Sequence, residues 1–305
     1  MNGEAGGKGV VRDMNDYNRK FPDLDIDIRR VQKVELEILL EFDRVCKANN
    51  IKYHLFAGTL LGAIRHNGFI PWDDDIDVCM LREDYEKFLI VGKECLDGDY
   101  FLQTYETDEN YINQFAKIRK NNTIFLQDDV VGTNIHQGFY IDIFPFDNVE
   151  PYTLVGRVQR NILNILRYMT KCRLKNKVNK TRNSFSRYFR LFIHYFIKII
   201  PKKPMDKMIT NIACMFNNKN TKYVGELSHG TAKYLYDRFT VEKNIFYDTI
   251  EWEFEGHKFP IPRKYDYVLT KNYGDYMIPP PLEQQKPHHG IIEICFDTTS
   301  KTEEV

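Results

Sequence analysis

The sequence predicts an α+β fold, a mixed α/β arrangement in which a small mixed sheet is flanked by helices and carries a basic helical insertion. Three observations predict it. Apolar residues recur at helical spacing near the start, short apolar runs ending in turn residues follow, and the composition changes abruptly after Pro151. The chain has 305 residues, 43% hydrophobic and 28% charged, which suits a sizeable core and excludes a disordered or collagen-like protein. Its 43 Lys and Arg balance 43 Asp and Glu. The six cysteines are scattered with no C-x-x-C pair, so free thiols in a reducing cytosol are expected rather than a disulfide framework or a zinc site. No run of about 18 uncharged apolar residues predicts a transmembrane helix, and the start lacks the apolar block of a secretory signal.

The elements follow in order. Residues 1–22 read as a glycine-rich flexible leader. From Asp27 to Ala48 the positions Ile28, Val31, Val34, Ile38, Phe42 and Val45 form one face of an amphipathic helix, closed by Asn49 and Asn50. Tyr53–Phe56 reads as a strand, Leu60–His66 as a helix, Asp75–Met80 as a strand and Asp84–Cys95 as a helix. Short strands are predicted at Phe101–Tyr105, Phe115–Ile118 and Thr123–Leu126, then at Phe139–Phe144, where Pro145 ends the run and Asp147 caps a turn. Later come a hairpin through Glu255-Gly256, a helix at Arg263–Tyr273 closed by Gly274, a rigid Pro279–Pro281 loop leading to His288-His289, and a last strand at Ile291–Phe296. The expected organisation is a leader (1–22), a core (23–150), a basic helical region (151–240) and a C-terminal segment (241–305) packing back on the core.

The chemistry concentrates in His54–Met80. Strand alternation predicts Asp73, Asp75 and Asp77 on one face and Asp74 on the other. Three like charges on a half-buried strand call for a cation, and a hard divalent ion takes carboxylate oxygens together with substrate phosphates. An exposed acidic turn is the plain alternative. Gly58-Thr59, between a strand and a helix, is a turn in which backbone N–H groups can approach a phosphate. Asp142 is a lone carboxylate inside the apolar run YIDIF, where strand propensity disfavours it unless it has a role. Trp72 stacks on a base or packs on the core, with packing the expected role.

The order of small-residue turn, Asp-x-Asp strand and lone strand Asp resembles the nucleotidyltransferase superfamily of the DNA polymerase beta type. The longer string GTLLGAIRHNGFIPWDDDID, with the later YIDIFP and YGDYMIPP, resembles the LicD family of phosphocholine transferases, related to the fukutin-type enzymes. The resemblance runs from about Val31 to Pro280 and is weakest in the basic region. It implies a nucleotidyltransferase-like core and a transferase that moves a phospho-alcohol, phosphocholine foremost, from a CDP-alcohol donor to a glycan or lipid-linked glycan acceptor of lipopolysaccharide, teichoic acid or capsule. It also implies Mg²⁺ (Mn²⁺ as substitute) held by Asp75 and Asp77, with Asp142 as third ligand or base and Asp73 as an outer member. Arg65 and Lys117 are candidates for donor phosphates, and one of the two histidines, His289, for closing the site. Ribitol-phosphate or glycerol-phosphate transfer, true nucleotidyl transfer releasing pyrophosphate, and a non-catalytic cation-stabilised binding protein are the alternatives.

Residues 151–205 carry 14 Lys and Arg and no Asp or Glu, leaving 29 cations against 43 anions elsewhere. Interleaved Ile, Leu, Phe and Tyr predict two basic amphipathic helices, broken near Asn176–Asn183 and ended by Pro201. Three readings stand: docking of residues 157–203 on an anionic membrane surface, a basic groove for a phosphate-rich acceptor, or a helix pair packed on the acidic core. The first would make a cytoplasmic protein peripheral on the inner face of the membrane. No nucleic-acid-binding motif is present, and no nucleic acid partner is expected.

Overall fold

The computed structural model describes residues 26–174, 184–228, 233–287 and 289–299. The predicted leader at 1–22, the break at 176–183 and His288 lie outside them. Helix α1 (Ile28–Ala48) begins where the Asp27 carboxylate accepts the Arg30 N–H at 3.0 Å, and its apolar stripe buries Val31, Ile38, Leu39, Phe42 and Val45. Strand β1 (His54–Leu55), α2 (Ala57–His66), β2 (Asp77–Leu81), α3 (Arg82–Cys95), β3 (Tyr100–Gln103), β4 (Ala116–Lys120), β5 (Ile124–Gln127) and β6 (Tyr140–Val149) follow.

The main sheet is mixed and has seven strands, in the order β1-β2-β6-β4-β3 with a branch. β2 and β6 run parallel, and the other pairs are antiparallel. β6 is longer than predicted and runs straight through Pro145. On one side it lies against β2; on the other it pairs with β4 through Ile143 and with β7 (Tyr223–Glu226) from Phe146 onward. Pro145 falls in the gap between those two neighbours, where its missing N–H costs the ladder nothing on that side. β7 carries β8 (Thr240–Glu242). Asp147 is correspondingly not a turn cap. It is fully buried in β6 and accepts two hydrogen bonds from Arg82 at 2.8 Å each, plus one from Asn217.

α1, α2 and α3 pack on the sheet, and the core runs from Val31 to Leu269. The hairpin of β9 (Thr249–Phe254) and β10 (His257–Pro262) turns through Glu255 and Gly256, both at positive φ, as Glu-Gly at a tight turn requires. Its Phe254, Phe259 and Ile261 join the main core. Strand β11 (Ile291–Cys295) pairs with β5 in a separate two-stranded sheet.

The basic region forms α4 (Leu154–Lys171) and α5 (Ser184–Ile199). After Pro201 a further helix, α6 (Lys202–Ala213), was not expected. Proline is compatible with the entry to a helix, and Pro201 sits at its N-cap and Pro204 within its first turn. Leu163, Ile197, Met205, Ile209 and Leu227 form a second, smaller core. Helices α7 (Lys233–Arg238) and α8 (Tyr265–Tyr273) are the last among the described residues, with Gly274 at φ 70 behind α8.

Candidate active site

The site grows from strand register. Asp77 on β2 pairs with Asp142 on β6, and Asp142 pairs with Lys117 on β4. Residues paired across neighbouring strands share a face, so these three side chains form one row across the sheet. The Asp142 N–H donates to Ile76 O at 2.8 Å, and the Phe56 N–H to Asp77 O at 2.9 Å, which locks the row to the preceding loop. Within the row, Lys117 Nζ donates to Asp142 at 2.5 Å and lies 3.4 Å from the centre of the Tyr140 ring. Both partners are buried; burial lowers the Lys117 pKa, and the adjacent Asp142 partly restores it.

Residues 73–76 are not strand. They form an irregular loop after Pro71-Trp72, and β2 starts only at Asp77. The predicted alternation therefore does not hold for Asp73–Asp75. Gln32 of α1 pins this loop, donating to Ile70 O at 3.2 Å and Asp73 O at 3.0 Å. Trp72 is half-buried against the core. Asp74, predicted to face away, is fully buried and turned toward His289, whose Nδ1 lies 3.2 Å from one Asp74 oxygen while its Nε2 is 3.9 Å from Asp75. The His289 backbone N–H also donates to Asp74. Burial would lower the His289 pKa, but the hydrogen bond to Asp74 and the charge of Asp75 outweigh it and raise it to about 9.

The carboxylates crowd one another. Burial, with Asp75 and Asp74 adding repulsion, pushes Asp73 up to about 8. Burial and then Asp75 and Asp142 push Asp77 well above the usual carboxylate range, and burial raises Asp75 against the opposing pull of His289. Glu35, on α1, was not foreseen at all. Its carboxyl is fully buried, neither oxygen has a hydrogen-bond partner, and burial followed by Asp75, Asp74, Asp73 and Asp142 raises it well above normal. Its place on the buried stripe with Val31, Ile38 and Phe42 was the readable signal.

Gly58 and Thr59 open α2 directly beside this cluster. A Cβ on Gly58 would meet Asp73 Oδ2 at 2.8 Å, so any larger residue there would have to displace that carboxylate. Ala57, just before it, is held at φ 45. The Thr59 hydroxyl accepts the Asp77 N–H at 2.8 Å and so fixes the start of β2. Arg65 donates to Tyr276 O and to His66, which ties α2 to the YGDYMIPP loop. It does not line the cleft described next.

That cleft, of about 330 Å³, opens beside the row and is lined by Lys117, Arg119, Tyr140, Asp142, Lys171 and His289 among others. The structure thus brings Asp75, Asp77, Asp142, Lys117 and His289 together with Asp73, Gly58 and Thr59 on their flank. Among the described residues, Asp74, Asp75 and His289 place ligand atoms within 4.8 Å of one another, a set able to hold a metal ion; Asp77 and Asp142 stand next to that set, outside it.

A family model described as LicD/FKTN/FKRP, nucleotidyltransferase domain, matches residues 50–160, the stretch that supplies this row and most of its loop. Beyond that stretch, the chain is 34% identical over 270 residues to the lipopolysaccharide cholinephosphotransferase LicD of Haemophilus influenzae. That match spans 87% of this chain and 96% of the relative. The chain belongs to the LicD family. It is a phosphotransferase of the LicD type. The ribitol 5-phosphate transferase FKRP of Homo sapiens is 30% identical over 84 residues, covering 23% of this chain and 17% of the relative. An uncharacterised protein of Rickettsia typhi, RT0683, is 46% identical over 115 residues, 28% of this chain and 37% of its own.

For a LicD-type phosphotransferase the arrangement has clear chemical uses. Crowded, buried carboxylates beside an imidazole form a set able to hold a metal ion. The cleft next to them presents Lys117, Arg119 and Lys171 together with Asp128, Asp129 and Asp142.

Proposed function

We propose that this LicD-family chain transfers a phospho-alcohol, phosphocholine first among the candidates, from a CDP-alcohol donor to a hydroxyl of a cell-surface glycan or its lipid-linked precursor. The observation that carries the reading is the row Asp77–Asp142–Lys117 beside the Asp74–Asp75–His289 set, next to a cleft that Lys117, Asp142 and His289 help to line. The residues fit a hard divalent ion: oxygen donors dominate, and the unpartnered Glu35 carboxyl adds to the excess. Asp75 and Asp77, with Asp73, Asp74 and Asp142 adjoining, would hold Mg²⁺ or Mn²⁺, which would supply neutralisation of the diphosphate charge.

The chain's own groups do the rest. Lys117, Arg119 and Lys171 draw the donor phosphates into the cleft, while Gly58 and Thr59 at the α2 N-terminus lie outside its lining and support Asp73 and Asp77. Asp142 takes the proton of the acceptor hydroxyl as its oxygen attacks the phosphorus that carries the alcohol. The bond to the bridging oxygen breaks and CMP leaves. Lys117 holds Asp142 in place for that proton through its hydrogen bond. His289 closes over the acidic set, and Arg65 steadies the C-terminal loop through Tyr276. An acceptor still attached to its lipid would be met by a cytoplasmic enzyme at the inner membrane surface.

The test is incubation with Mg²⁺ and a panel of CDP-choline, CDP-ribitol and CDP-glycerol, following CMP. CMP release with one donor supports the reading and names the alcohol. Pyrophosphate from a nucleoside triphosphate would instead indicate nucleotidyl transfer, and undiminished turnover by Asp75→Asn would remove the assignment of the acidic set.

A further inference from the structure

Helix α5 wears its apolar residues on the outside. Tyr188, Phe189, Phe192, Tyr195, Phe196 and Ile199 repeat at three- and four-residue steps, and each is between 48% and 80% exposed. The opposite side of the helix is already satisfied, with Ile197 in the smaller core and His194 bonded to Cys172 O at 2.8 Å. The fold therefore does not need the outer stripe. Helix α4 repeats the pattern, exposing Leu154, Val155, Val158, Ile162 and Ile165 while burying Gln159, Leu163 and Arg167. The two helices touch where the Arg190 guanidinium, on the inward side of α5 with His194 and Ile197, lies 5.5 Å from the ring of Tyr168 on α4. Exposed apolar stripes of this length mark an interaction site.

Charge selects the occupant. The stretch from 151 to 205 holds 14 cations and no anion; Arg157 on α4 and Lys198 on α5 are exposed, as are Lys203 and Lys207 on the following α6. A second copy of the chain would press this cationic face against itself, which repulsion opposes. A surface that is both oily and negative answers both properties. Phe and Tyr beside Lys and Arg suit the boundary between headgroups and acyl chains. Among the described residues no helix is long and apolar enough to cross a membrane.

We infer that the outer stripes of α4 and α5 lie in the surface of an anionic phospholipid bilayer, with the helices parallel to it. Helix α4 ends at Lys171, which lines the catalytic cleft, so the docked face and the site share an element. The inference does not require the transferase reading, because it is tested by binding alone.

The experiment is flotation of the full chain with phosphatidylcholine vesicles, alone or containing about 30% phosphatidylglycerol, at low and high salt. Expected is flotation with the anionic vesicles, about tenfold weaker or more without the anionic lipid and weakened by salt. The variant Phe192→Gln/Phe196→Gln, at exposed positions, should lose at least about tenfold in partitioning while keeping its circular dichroism and melting temperature. Lys198→Glu/Lys203→Glu should do the same on anionic vesicles. Failure to float with either vesicle, unchanged flotation of both variants, or concentration-dependent dimers that vanish in the Phe192→Gln/Phe196→Gln protein without any vesicle binding would each overturn the inference. CMP formation with a soluble acceptor is read alongside; it stands or falls with the proposed reaction and leaves the membrane result separate.

Discussion

At the scale of single residues, the acidic site is a balance of repulsion and burial, and its members differ in how far the sequence exposed them. Spacing and an apolar context singled out Asp75, Asp77 and Asp142 in the sequence, and the fold sets Asp77 opposite Asp142, with Asp75 in the loop just before β2. Asp74 was not singled out, because strand alternation assigned it outward, whereas residues 73–76 are loop and turn it toward His289. Glu35 was hidden by distance along the chain, although its helical register placed it inside. Two substitutions follow from these contacts. Gly58→Ala puts a methyl group 2.8 Å from Asp73 Oδ2, so turnover should fall by about tenfold to a hundredfold through displacement of that carboxylate, while circular dichroism stays native. Burial, with the neighbouring Asp75 and Asp74 adding repulsion, raises the Glu35 pKa well above the usual carboxylate range and so favours its neutral form in the metal-free protein. Glu35→Gln should therefore change urea-unfolding stability without added metal by less than about 1 kcal/mol; a loss several times larger would show that the group is ionised in the folded state.

At the scale of elements, helices and hairpins were read well where side-chain period and turn chemistry agreed, as in α1, the β9–β10 turn at Glu255-Gly256, and α8 with Gly274. Strand β6 was cut short in the reading because a proline ordinarily stops a strand. Which edge of the strand lacks a neighbour at Pro145 is a property of the folded sheet and is absent from the local sequence. The same error hid the role of Asp147, whose buried pair with Arg82 joins β6 to α3. Burial alone would raise its pKa, but Arg82 and Asn217 outweigh that and hold it below the usual carboxylate range. A depressed folded value contributes stability above the unfolded pKa of about 3.9, and that contribution is lost as pH falls through the folded value. Asp147→Asn should thus cost about 3–5 kcal/mol at pH 7, by leaving Arg82 buried without its partner, and should flatten the acid limb of the stability curve below about pH 4. Urea midpoints from pH 3 to 7 would read both effects.

Across the whole molecule, the site joins α1, the 73–76 loop, β2, β6 and the C-terminal segment, and its proton content couples to folding. Asp73 near 8, with Asp75, Asp77 and Glu35 also raised, holds protons that the unfolded chain releases from about pH 4 upward. Raised values contribute stability that is complete below the unfolded pKa and is lost as pH rises through the folded one. The metal-free protein should therefore lose melting temperature between about pH 4 and pH 8 at this site. His289 adds the same sign between about 6.5 and about 9. Adding Mg²⁺ at pH 7 should raise the melting temperature and release protons into weakly buffered solution, and Asp75→Asn should suppress both. One feature of the assembly reaches further. His289 meets Asp74 across 215 positions of chain, and β11 then zips onto β5. On the ribosome, the acidic residues of the site emerge long before their histidine partner. A nascent polypeptide would thus lay down β2 and β6 while the Asp74–Asp75–His289 set still lacks its third member, which arrives only with the segment around His289.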